Sequence, residues 1–129
     1  MSETANIPPA LADRFMEAFD AFLASVTTAV TDAEQNPEQA STPDFRAWKN
    51  KVLPLLKRQN NEAQQAVEAF RKGDPAPLLA IAQEKRGLAK DLDAFPLTFA
   101  GPAHAETLDA LETALVTAAY HLCAAAGVP

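Results

Sequence analysis

A single cysteine, four glycines and few β-branched residues set the first limits on this chain of 129 residues. One cysteine cannot form an internal disulfide, which fits a reducing compartment. The scarcity of glycine and β-branched residues argues against a sheet. No apolar run approaches the length of about 18 residues that a membrane span requires, and the N-terminal residues show no signal-peptide pattern. We therefore expect a cytoplasmic, all-α protein that does not enter the membrane.

The familiar motifs of catalysis and metal binding are also missing. Neither His104 nor His121 follows a glutamate by three residues, so the Glu-x-x-His motif of carboxylate-bridged di-metal bundles does not occur. There is no Cys-x-x-Cys, no His-Glu-x-x-His, no glycine-rich phosphate loop and no Gly-x-Ser-x-Gly. From this pattern we expect a protein without enzyme activity, metal or cofactor.

What the chain does have is alanine-rich sequence with apolar residues spaced three and four apart, which predicts helices. Four segments show this spacing, at about residues 8–35, 43–72, 75–95 and 102–126. Short connections join them, so residues 1–129 are expected to form one domain. The prediction is an up-down-up-down four-helix bundle. A helical array that completes its core by dimerising is the alternative.

Local signals mark the ends of these helices. Thr42 is the predicted N-terminal cap of the second helix, and Gly73 is the predicted left-handed residue that ends it. Asp74 is expected to cap the third helix, and Phe99 with Leu97 to close one end of the bundle. Pro54 predicts a kink in the second helix, because proline removes a backbone donor and crowds a preceding carbonyl.

Charge is distributed unevenly, although the net charge is −6. Seven of the 11 basic residues lie within residues 43–72, and Arg46, Lys49, Lys57 and Arg71 project from one flank of that helix. One interpretation is pairing with the acidic neighbouring helices, each pair contributing about 0 to 1 kcal/mol. The other is a docking stripe for an acidic partner protein. The acidic total and the absence of interleaved aromatic residues disfavour nucleic acid.

Four polar residues interrupt the apolar stripes: Gln59 in the second helix, Glu84 and Lys85 in the third, and Glu112 in the fourth. Antiparallel packing of the third and fourth helices would bring Lys85 level with Glu112, so we expect an ion pair between them. Polar residues on an apolar face can fix how helices pack. The alternative is a polar cavity near the bundle centre that binds a small ligand.

The last helix contains the only tyrosine and the only cysteine of the chain. Val116, Tyr120 and Cys123 project away from its apolar stripe, and His121 lies on the opposite flank from Cys123, which excludes a Cys–His pair within the helix. We expect an unreactive thiol. An apolar strip of this kind indicates a contact surface, covered by another part of the chain or by a second copy.

Together these features favour a non-catalytic protein-binding module, such as an adaptor, a chaperone or an inhibitor of a partner protein. Its expected contact residues are Arg46, Lys49, Lys57, Arg71, Val116 and Tyr120. The alternative is a helical bundle that binds a small molecule or a metal at Gln59, Glu84, Lys85 and Glu112. An enzyme would be one form of this alternative. The apolar strip would also suit contact between copies in a homo-oligomer.

Overall fold

The computed structural model describes residues 7–95 and 99–128, and within these two ranges every regular element is a helix. The all-α prediction is confirmed. The α-helices are α1 (Pro9–Glu34), α2 (Pro37–Ala40), α3 (Pro43–Ala47), α4 (Leu53–Arg71), α5 (Ala76–Arg86), α6 (Leu88–Leu92) and α7 (Pro102–Ala125), and a π-helical segment (Trp48–Val52) joins α3 to α4. Among the described residues, no helix has the length and apolar character needed to cross a membrane.

Helix ends follow the local signals of the sequence at several points. Thr42 Oγ1 accepts a hydrogen bond from the Phe45 N–H at 3.2 Å and caps α3. Gly73 follows α4 with a φ of 101°, a left-handed conformation that glycine adopts without strain. Asp74 Oδ1 accepts a hydrogen bond from the Ala76 N–H at 3.2 Å at the start of α5. The predicted roles of Thr42 and Gly73 are confirmed, whereas the N-cap of α5 is Pro75, one residue after Asp74.

The predicted third helix is wrong in one respect, because Gly87 divides it into α5 and α6. Glycine is about 1 kcal/mol less favourable than alanine inside a helix. The Gly87 N–H bonds to the Glu84 carbonyl at 3.1 Å, which is a tighter turn than the α-helical pattern. The break therefore falls where the helix is intrinsically weakest.

The hydrogen-bond pattern changes just before Pro54. The Leu53 N–H donates to the Trp48 carbonyl, five residues earlier, which is the π-helical pattern. Pro54 then lies in the first turn of α4, where a missing N–H is tolerated. The wider π turn accommodates the proline within a continuous helical path, and the kink at Pro54 stays a prediction.

This π turn corrects the predicted buried face of α4. The spacing of three and four residues predicts both Leu55 and Leu56 on the buried face. Leu55 is instead 42% exposed, whereas Leu56, Ala63, Ala66 and Val67 are buried as the spacing predicts. The wider turn adds about one residue to the helical path, so at the start of α4 the face that points inward moves one position along the chain. Asn60, on the same helix, lies in the interior, and its Nδ2 donates a hydrogen bond to Asp20 Oδ1 at 2.9 Å.

The core lies between α1 and its neighbours. Helix α1 contacts both α4 and α7, and α5 contacts the same two helices. Aromatic residues on α1 supply much of the buried volume, and Phe15 and Phe19 meet edge to face with ring centroids 6.2 Å apart. From the other helices the fully buried leucines are Leu56, Leu78, Leu108, Leu115 and Leu122.

An aromatic cluster closes one end of the core. Phe99 is buried, with its ring 5.9 Å from Phe45 and 6.0 Å from Trp48, centroid to centroid. Trp48 Nε1 donates to the Phe95 carbonyl at 3.0 Å, which holds the chain after α6 against the π turn. The predicted role of Phe99 is thereby confirmed, and Leu97 lies outside the described residues.

Two leucine substitutions test which leucine side chains are buried in the core and which are exposed. Leu115→Ala should lower the free energy of unfolding by about 2 to 5 kcal/mol, because it leaves a cavity in a fully buried site. Leu55→Ala is the matched control and should change it by about 0.5 kcal/mol or less, since that side chain is exposed. Urea unfolding of both variants measures the difference. Equal losses would contradict the assigned buried face of α4.

Candidate functional site

A small pocket opens between α4 and the α5–α6 segment, and we call it the Lys85 pocket. Its volume is about 110 Å³. A cavity of about 150 Å³ holds benzene, which has six non-hydrogen atoms, so this one has room for about four to five. Leu55 borders its mouth, Gln59 and Lys85 supply polar groups, and Lys51 and Asp91 complete the lining. Its apolar walls are formed by Val52, Leu56, Leu88, Leu92 and Phe95.

Lys85 is buried, with 4% of its surface exposed. Its Nζ donates a hydrogen bond to Gln59 Oε1 and lies 5.4 Å from the centroid of the Phe19 ring. None of the ion pairs formed among the described residues includes Lys85. An ammonium group has three N–H donors, so one neutral oxygen and one ring face leave part of its capacity for another acceptor.

The predicted ion pair between Lys85 and Glu112 is therefore wrong. The lysine side chain extends towards α4 and α1, where Gln59 and Phe19 receive it, and not towards α7. Helix spacing alone cannot distinguish these directions, because a long side chain reaches more than one neighbouring helix.

Burial is the main influence on the protonation of Lys85. Loss of solvent lowers its pKa from the ordinary value of 10.5, because the charged form is poorly solvated in the core. The carboxylates of Glu84, Asp91 and Glu62 act in the opposite direction and favour the charged form. The desolvation effect is larger, so the folded chain binds this proton less tightly than the unfolded chain does.

The four polar residues predicted near the bundle centre do not form one site. Gln59 and Lys85 meet, as described above. Glu84 is exposed and lines a separate shallow pocket between α4 and α5. Glu112 lies half-buried in a third pocket beside Trp48. Burial raises the pKa of Glu112, and the nearby carboxylates of Asp109 and Asp93 raise it further.

The basic flank of α3–α4 is partly engaged within the molecule. Lys49 Nζ lies 3.2 Å from Glu34 Oε1, and Arg71 Nη2 lies 3.3 Å from Asp13 Oδ1, so both residues pair with α1. Arg46 donates to the Ser41 carbonyl at 3.1 Å. Lys57 is exposed and forms no ion pair with a described residue. Internal pairing accounts for Lys49 and Arg71, and a docking role for this flank stays a prediction.

The strip predicted on α7 is only partly covered by the chain itself. Cys123 is buried, and burial raises the pKa of its thiol, although Arg86 opposes this effect. Val116 is half-buried. Tyr120 remains 53% exposed, with the Arg86 guanidinium carbon 5.6 Å from its ring centroid. Helix α5 packs on α7, which explains why Cys123 lies inside although it was expected on the outer side.

The histidines do not assemble a metal site. His104 Nε2 lies 2.8 Å from Asp32 Oδ2, which links the start of α7 to the end of α1, and His121 is exposed. Within the described ranges, no group of three or more His, Cys, Asp or Glu side chains is arranged to hold a metal ion. The Lys85 pocket is therefore the site whose chemistry we pursue.

No family model, no curated protein and no solved structure matches the chain. Functional reasoning consequently rests on the geometry and chemistry of the described residues.

Gln59 and Lys85 were predicted from the sequence as residues of an alternative polar cavity, but Leu55 at the Lys85 pocket was missed, although one signal pointed to this residue. Leu55 and Leu56 are adjacent, and adjacent residues on a helix point about 100° apart, so a narrow buried face does not hold both. Pro54 directly before them marks a place where the helical phase can change. The adjacent leucines and the proline before them together indicate that either Leu55 or Leu56 is exposed to solvent.

Replacing Lys85 with methionine tests the burial of its charge. Lys85→Met should raise the free energy of unfolding at neutral pH by about 1 to 2 kcal/mol, because a buried charge is exchanged for an apolar side chain of similar length. Between the folded and unfolded pKa values the unfolded wild-type chain binds more protons. Wild-type stability should therefore rise with pH in that window, and the advantage of the variant should shrink towards about pH 10.

Urea unfolding at several pH values measures this difference. The exposed Lys90 supplies the matched control, and Lys90→Met should leave both stability and its pH dependence close to wild type. A Lys85→Met variant that is less stable than wild type, or whose advantage does not change with pH, would show that the ammonium is not destabilised by burial.

Proposed function

We propose that this chain is a non-catalytic protein-binding module, and that the Lys85 pocket receives a segment of a partner protein. The observation that carries the proposal is the position of Leu55. It is one of two large apolar side chains exposed among the described residues, and it borders a pocket with apolar walls and a polar floor. Exposed apolar surface beside a well-formed concavity is typical of a binding site.

The dimensions of the pocket favour a side chain of a larger partner. A volume of about 110 Å³ is small compared with the roughly 300 Å³ or more of typical pockets for free small molecules. A side chain inserted from a partner helix or loop needs only this space, while neighbouring residues of the same segment lie on Leu55 and the rim. Anchoring of this kind is how a few residues supply most of the affinity of an interface.

The bundle arrangement is part of the same proposal. In it, α1, the α3–α4 unit with its π segment, the α5–α6 unit and α7 are the four helices of an up-down-up-down bundle in the cytoplasm. The contacts of α1 with α4 and α7, and of α5 with α4 and α7, support this arrangement, because each helix then has two neighbours in a closed ring. The pocket would lie between two adjacent members of that ring.

Affinity capture from the native cell with matched surface variants tests the proposal. Leu55→Lys places a charge at the mouth of the pocket, and Ala24→Lys adds the same charge at an exposed position on α1. A partner that uses the pocket should be recovered with wild type and with Ala24→Lys, and should decrease by about tenfold or more with Leu55→Lys. Tyr120→Lys tests the other exposed apolar residue in the same way.

A photoreactive amino acid at position 55 then locates the contact, because it should form a crosslink to the captured protein. Equal recovery of every captured protein with wild type and Leu55→Lys would contradict the proposal. Loss of a partner only with Tyr120→Lys would instead place the interface on α7.

A further inference from the structure

The ammonium of Lys85 has no carboxylate at ion-pair distance among the described residues, although Glu84, Asp91 and Glu62 act on it from further away. Lys85 lies at 4% exposure, its one hydrogen-bond acceptor is the neutral Gln59 Oε1, and it takes part in no ion pair among the described residues. A buried ammonium is unfavourable without a counter-charge and a full set of acceptors. An occupant that brings a carboxylate to Nζ would supply both.

We infer that the Lys85 pocket binds a carboxylate, and that in the complex proposed above the carboxylate belongs to a glutamate side chain of the partner. This inference rests on the proposed function for the identity of the occupant. The carboxylate itself is argued from the pocket alone. A cation would be repelled by Lys85, and a neutral group would leave the ammonium without a counter-charge.

The shape of the pocket fits such a side chain. Beyond its Cα, glutamate has five non-hydrogen atoms, which is close to the space of about four to five atoms in a cavity of about 110 Å³. Its two methylene groups would lie between apolar walls that include Leu56, Leu88 and Phe95, while the carboxylate reaches the floor.

The charges around the mouth are compatible with an anionic occupant. Lys51 and Asp91 both line the pocket and both are exposed, so their opposite charges offset one another and are screened by solvent. Lys85 is buried and is screened much less. Among the charged residues that line the pocket, Lys85 is therefore the least screened, and its ammonium favours an anion.

Propionate and propionamide provide a direct test. Propionate reproduces the side chain of glutamate beyond Cα, and propionamide has the same number of non-hydrogen atoms without the charge. Amide chemical shifts of Gln59, Lys85 and Leu88 are followed by NMR while each compound is added at constant ionic strength. We expect saturable shifts with propionate at a Kd in about the millimolar range, and binding of propionamide weaker by about tenfold or more.

Two substitutions on the floor of the pocket should weaken the binding of propionate. Lys85→Met removes the ammonium, and Gln59→Glu supplies an internal carboxylate that occupies it. Each should weaken propionate binding by about tenfold or more while the rest of the amide spectrum stays native. Lys90→Met, an exposed substitution on α6, should bind like wild type. Equal shifts with both compounds, or shifts that survive both floor variants, would overturn the inference.

The same reagents separate this inference from the proposed function. If Leu55→Lys loses the captured partner but Lys85→Met and excess propionate do not affect it, the partner uses the pocket without a carboxylate and the inference is wrong. If propionate binds as expected but no captured protein depends on Leu55, the carboxylate site stands and the protein-binding function is wrong. Loss of the partner with Leu55→Lys, Lys85→Met and excess propionate alike supports both.

Discussion

The position of the Lys85 ammonium is the constraint on which the rest of the site depends. It enters an apolar interior between three helices, where Gln59 from α4 and the Phe19 ring from α1 receive it. Both contacts require a specific position of α5 relative to α4 and α1, because a shift of one residue would turn either partner away. The group that makes the pocket polar thus also restricts how the surrounding helices pack.

The π segment explains why there is a pocket beside this lysine. Pro54 cannot donate a backbone hydrogen bond, and the helix widens immediately before it, with the Leu53 N–H reaching back to Trp48. The resulting change in phase buries Leu56 and exposes Leu55. One backbone adjustment therefore places an apolar wall inside the pocket and an apolar residue at its mouth, and it connects a single proline to the proposed binding surface.

Local chemistry in the sequence was enough to predict the parts of the fold that depend on neighbouring residues. The local conformation of Gly73 and the hydrogen bonds of Thr42 and Asp74 involve residues at most three positions away. Such local features could therefore be predicted from the sequence. The partner of Lys85 could not, because its side chain can reach more than one helix and the choice depends on tertiary packing. Leu55 was assigned to the core because the spacing of three and four was continued through Pro54 without a change of phase. The cover over Cys123 was expected, but it could not be assigned to α5 because the approach of that helix was unknown.

The central claim is that Lys85 is an ammonium held in a desolvated site with a neutral partner, and an NMR titration of its Nζ and Cε resonances tests this most directly. The resonances are assigned by their absence in Lys85→Met. The account predicts a titration midpoint for Lys85 below the ordinary lysine value of 10.5, because burial lowers its pKa. A midpoint at or above 10.5 would show that a carboxylate already neutralises the ammonium in the free protein, and it would contradict the account.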